Sequence, residues 1–154
     1  MNTLLARLKQ WLSGRSRLPS DFRPPGPIAD LQLELTGLAL KVGDAYGIKL
    51  DFSSASIRSV ERILSAIHKE YRRTGMEDGL NGIALEFGAY IASTIQRQTG
   101  EGQLDRDHPD FGEASFPFRL RETTIFPYMW CIKRIFDGDG DNVWTKYQVC
   151  VLGK

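Results

Sequence analysis

LDFSSASIRSVERILSAIHKEYRRTGMEDGLNGIALEFGAY, residues 50–90, decides the fold. It continues a short alternating run, Ile48-Lys49-Leu50-Asp51-Phe52, which reads as a strand. Ser53, Ser54 or Ser56 then caps a helix over about 55–74, with an apolar stripe of Ile57, Val60, Ile63, Leu64, Ile67 and Tyr71. Arg58, Glu61, Arg62, Lys69, Glu70, Arg72 and Arg73 are assigned to its water-facing side, and His68 to the margin. A second helix, about 77–98, is nearly free of charge. Leu80, Ile83, Phe87, Ile91 and Ile95 line one face, and Gly82, Ala89 and Ser93 the other. Interior Gly82 and Gly88 each cost about 1 kcal/mol of helix propensity, so close packing is expected to require them. Glu86 stands alone among apolar neighbours and is therefore expected to be buried with a partner. The same position would suit a general acid or base.

Upstream, Ile28, Leu31, Leu35, Leu38, Val42 and Ala45 mark one helical face, with Leu33 and Leu40 opposite. A helix over 28–46, buried on two sides and broken by Gly43 and Gly47, follows from that spacing. The alternation Leu31-Gln32-Leu33-Glu34-Leu35 before Thr36-Gly37 also admits a hairpin. Downstream, residues 99–113 are polar and rich in Gly and Asp, and read as a loop. Its Asp105, Asp107, His108 and Asp110 lack a spacing that would preorganise a metal site. Residues 116–121 alternate like a half-buried strand that Thr123 to Phe126 can pair with. Pro127 then starts a helix carrying Tyr128, Cys131, Ile132, Ile135 and Phe136 inward. Val143, Tyr147, Cys150 and Val151 complete the apolar surface. The expected fold is α+β: three main helices on a short antiparallel sheet, with a C-terminal helical segment.

Residues 1–15 are set apart from this domain, residues 28–154, by a Pro-, Ser- and Arg-rich linker over 16–27. Leu4, Leu5, Leu8, Trp11 and Leu12 share one face of an amphipathic helix flanked by Arg7, Lys9 and Gln10. That helix admits three uses: docking on the domain or on a second copy, lying in an anionic membrane interface, or entering a groove on a protein partner. Leu4, Leu8, Trp11 and Leu12 are its contact residues in the last two.

Asp137, Asp139 and Asp141 match positions 1, 3 and 5 of a calcium loop. Asn142 replaces the glycine at position 6 and Gln148 the glutamate at position 12, so a turn capped by Asp141 or Asn142 explains the run better. No phosphate-binding glycine loop, nucleophile elbow or zinc motif occurs. The 154 residues carry 20 Lys and Arg against 19 Asp and Glu, too balanced for nucleic-acid binding. Two cysteines suit reduced thiols in a cytoplasmic protein and no disulfide framework. No apolar run approaches the roughly 20 residues that cross a bilayer. No cofactor is called for.

Leu50-Asp51-Phe52-Ser53 with Ser56 and Ile57, together with Phe87-Gly88-Ala89-Tyr90-Ile91, resembles a bacterial family of small α+β domains of unknown function. Phe126-Pro127 and Ile132-Lys133-Arg134-Ile135 are similar to that family's closing segment, and the likeness covers roughly residues 30–150. It departs from the family at Ala92-Ser93, where Gly-Glu often follows the tyrosine. The resemblance implies a small α+β domain and no established activity. With no catalytic constellation present, the function expected is protein–protein contact, of adaptor or immunity type. The alternatives are a peripheral membrane protein and an enzyme using Glu86.

Overall fold

The computed structural model describes residues 27–154. The amphipathic stretch with Leu4, Leu8, Trp11 and Leu12 lies outside the described residues. The fold is α+β. Helices α1 (Ile28–Ala45), α2 (Ser56–Thr74) and α3 (Leu80–Thr99) precede strands β1 (Gln103–Leu104), β2 (Phe118–Leu120) and β3 (Thr123–Ile125). Helix α4 (Pro127–Asp137), a 3₁₀ turn (Asp139–Asp141), α5 (Val143–Tyr147) and a π-helical turn (Gln148–Leu152) complete the chain. The strands pair antiparallel in the order β1-β2-β3, with Leu104 opposite Phe118 and Phe118 opposite Ile125.

Helix α3 is the centre of the packing. It lies between α1 and α4, and Ile83, Phe87, Tyr90, Ile91 and Ile95 have no exposed surface. The expected close approach occurs at Gly88, where a Cβ would stand 2.8 Å from the backbone N and Cα of Tyr128 at the start of α4. On its other side, Ser93 meets Thr36 at 2.9 Å and accepts from Gln32 Nε2 at 3.0 Å. Those contacts belong to a helical α1, not to a hairpin. Only one face of α1 is buried, however: Leu40 is half-buried and Leu33 is 75% exposed.

Residues 48–52 do not form the expected strand. Leu50 turns inward, but Phe52 adopts φ +62° and finds its backbone partners on α3 side chains. Its N–H donates to the Tyr90 hydroxyl at 2.9 Å and its carbonyl accepts from Gln98 Nε2 at 2.8 Å. Side chains have replaced a neighbouring strand as the hydrogen-bonding partner. The segment read as one loop over 99–113 contains β1, whose two residues are too few to show an alternation.

One polar assignment also changes: Glu61, expected on the water-facing side of α2, is buried, and it meets a buried Arg134 on α4. Cys150 is exposed although Val151 beside it is buried, because the π-helical turn widens the spiral and shifts which residues face inward.

Gly88 and Gly37 make a controlled contrast, since both sit inside helices and only Gly88 touches a neighbouring backbone. Gly37→Ala is expected to stabilise the chain by about 0.5–1 kcal/mol through helix propensity. Gly88→Ala gains the same propensity but forces α3 and α4 apart, for a net loss of about 1–2 kcal/mol. Urea unfolding midpoints of the two variants check both signs.

Candidate functional site

The motif residues of the 50–57 segment and of α3 meet at one atom. The buried Tyr90 hydroxyl accepts from Phe52 N–H and lies 2.7 Å from Ser56 Oγ, while the rings of Phe52 and Tyr90 stack at 5.0 Å. Ser56 Oγ is also 2.6 Å from the Ser53 carbonyl, and Ser53 Oγ accepts the Ser56 N–H. The Arg97 guanidinium covers Phe52 at 3.5 Å from the ring centre. Nearby, Ser54 Oγ bonds the Tyr147 hydroxyl at 2.9 Å. Asp51 turns back on its own loop, where the Ser53 hydroxyl and N–H hold its carboxyl below the usual value. The Tyr90, Ser56, Ser54 and Tyr147 hydroxyls contact other hydroxyls or backbone, and only the Ser53 hydroxyl among this set meets a carboxylate, that of Asp51 at 2.6 Å. Their role is to fix the loop before α2 against α3.

A second buried polar centre joins α2, α4 and α5. Arg134 Nε donates to both Glu61 oxygens at 2.9 Å, and Arg134 Nη2 donates to Asp139 at 2.9 Å. Glu61 Oε1 also accepts the Val143 N–H at 3.0 Å, at the first residue of α5. Both charged residues occupy the middle of apolar stripes: Glu61 is four residues from Ile57 and three from Leu64, and Arg134 four from Trp130 and three from Cys131. Opposite charges in that position on two helices were the available sequence signal for a buried pair. His68 closes the same region, its Nδ1–H donating to the Ile135 carbonyl at 2.7 Å.

The Asp/Gly turn serves this arrangement. Asp139 holds Arg134, Asp141 accepts from Lys146 at 3.1 Å, and Asn142 Oδ1 caps α5 by accepting Thr145 N–H at 2.9 Å. Asp137 faces water. Among the described residues, no three His, Cys, Asp or Glu side chains are grouped to hold a metal ion. The 105–116 loop is likewise tied internally. Asp105 pairs with Arg119 at 2.7 Å, Asp107 accepts the Ala114 N–H, and His108 Nδ1 accepts the Asp110 N–H at 3.0 Å. His108 and Gly112 exchange backbone hydrogen bonds at 2.8 and 3.0 Å. The rings of His108, Phe111 and Phe126 are mutually within 5.5 Å, yet Phe111 remains 68% exposed.

Phe111 forms one wall of a groove of about 310 Å³, together with Ser115, Phe126, Met129, Trp130, Lys133 and Lys146. Met129, Trp130 and Lys133 come from one side of α4 at helical spacing, Phe126 from the residue before it, and Lys146 from α5. Glu86 is fully buried on α3, as expected, and does not line this groove. Cys131 is buried too, which pushes its thiol well above its ordinary pKa and makes it a packing residue. The sequence showed residues 99–113 as a loop but not the groove, because its walls come from three separated segments.

In comparisons with known proteins, no family model matches this chain, and neither does any curated protein or any solved structure.

Tyr90→Phe keeps the ring stack and removes the hydroxyl, leaving the Phe52 N–H and Ser56 without their partner. The expected cost is about 1–3 kcal/mol of stability. Faster amide exchange at residues 52–56 than elsewhere in the variant identifies the loop as the part released.

Proposed function

We propose that this chain is a non-catalytic protein-interaction domain, of adaptor or immunity type, that engages its partner through the groove between the 105–116 loop and α4. The observation that carries the reading is Phe111. A loop closed by its own hydrogen bonds holds this ring 68% exposed at the rim of an aromatic- and Met-lined groove. Leaving such a side chain in water forgoes about 1.5–3 kcal/mol of burial free energy, which a partner that covers it recovers. Aromatic residues and Met are enriched at interface centres, and fixed aromatic anchors dominate their energetics.

The N-terminal arm supplies a second contact in this proposal, through Leu4, Leu8, Trp11 and Leu12. The same residues support a peripheral membrane role, since their apolar face is flanked by Arg7 and Lys9. Among the described residues, no helix is long and apolar enough to cross a membrane. Glu86 gives weaker support to an enzyme, because the groove does not reach it. A cytoplasmic setting and membership of the bacterial α+β family belong to the same proposal. The meeting of both motif halves at Tyr90 supports a likeness of architecture.

Full-length bait and its Phe111→Ala and Met129→Glu variants, compared by affinity capture from lysate, test the groove. A protein retained by the parent and lost by both variants, at unchanged melting temperature, is the expected result, with affinity down at least about tenfold. Equal recovery by all three baits refutes the groove reading. Recovery of membranes alone, abolished by Trp11→Ala, replaces it with the peripheral-membrane reading.

A further inference from the structure

We infer that the occupant of the groove is a short acidic segment of a partner protein, an apolar side chain flanked by a carboxylate; the inference rests on the groove being the contact site. The lining carries two ionisable groups, Lys133 and Lys146, and no carboxylate. They are not equivalent. Lys146 Nζ is held by Asp141 at 3.1 Å, and both side chains are only 26% exposed. Lys133 is exposed and makes no ion pair among the described residues. It follows Met129 by four residues on α4, so its ammonium stands on the same side of the helix as the Met129 and Trp130 walls.

Neither Asp137, four residues on along α4, nor an acid of the loop makes an ion pair with Lys133 among the described residues. Asp105 is bound to Arg119 and Asp107 to the Ala114 N–H, while Asp110 and Glu113 lie outside the lining. A group seated on Met129 and Trp130 therefore meets one unengaged positive charge at its edge. At about 310 Å³ the groove is near the lower end of the roughly 300–1,000 Å³ that ligand pockets span, space for one or two side chains. One free cation and a chain of net charge +1 suit an acidic peptide better than a polyanion such as nucleic acid.

The probes are N-acetylated, C-amidated tetrapeptides Asp-Leu-Phe-Asp, Asn-Leu-Phe-Asn and Lys-Leu-Phe-Lys, titrated into ¹⁵N-labelled full-length protein. The Trp130 indole and Phe111 amide resonances report binding. The acidic peptide is expected to shift both and to bind about threefold to fivefold more tightly than the amide version, the range of an exposed ion pair. Lys133→Gln, at an exposed position that leaves the fold intact, is expected to remove that preference while the amide version binds as before. Equal affinity of the acidic and amide peptides, or preference for the basic one, overturns the acidic-segment inference and leaves the groove reading standing. Failure of every peptide to shift Trp130 or Phe111 overturns both.

Discussion

The buried Glu61–Arg134 ion pair is the interaction on which the rest of the structure depends. Arg134 is 1% exposed and its Nε bonds both oxygens of Glu61, so α2 and α4 are joined by charge through an apolar core. Such a pair does not by itself add much net stability, because desolvating two ions opposes their attraction. Breaking it is different: a buried charge left without its counter-ion costs about 3–5 kcal/mol. The pair therefore acts mainly by forbidding other arrangements of these helices. Glu61 extends that effect by accepting the first backbone N–H of α5, and Arg134 by holding Asp139 of the preceding turn.

From this follows the two-sided character of α4. Arg134, Cys131 and Ile135 face inward and fix the helix against α2 and α3, while Met129 and Lys133 face the groove. Lys133 and Arg134 are neighbours with opposite tasks, one solvated and one buried. The opposite wall is fixed independently, by the hydrogen bonds and ring contacts of the 105–116 loop. A groove with both walls set beforehand loses little conformational entropy when it is filled, which favours its use as a contact surface.

Much of the fold was legible because it rests on periodicity. The stripe of α2, the faces of α1 and α3, the β2–β3 pair and Pro127 at the start of α4 follow from local spacing. The π-helical turn and the two-residue β1 misled locally, but the other errors share a cause: each depended on what lies far away in sequence. Phe52 looked like strand because its hydrogen-bonding partners, Tyr90 and Gln98, are about forty residues downstream. Glu61 looked solvated because alone it is simply a charge; its burial is apparent only when the α2 stripe is laid against that of α4, which carries Arg134. Leu33 looked buried by hydrophobicity, but among the described residues no element covers it. The groove was hidden for the same reason, whereas Gly88 announced its close contact through the propensity that an interior glycine sacrifices.

Amide hydrogen exchange on Glu61→Gln against the parent chain tests the central claim most directly, since the substitution removes the charge and keeps the side-chain shape. If the ion pair anchors the C-terminal wall of the groove, residues 138–152 lose protection first and by the largest factor, with Trp130 and Lys133 next. Helix α1, which supplies no hydrogen-bond partner to either residue of the pair, then keeps most of its protection. Unchanged protection over 138–152, or an equal loss at every amide, would contradict the account.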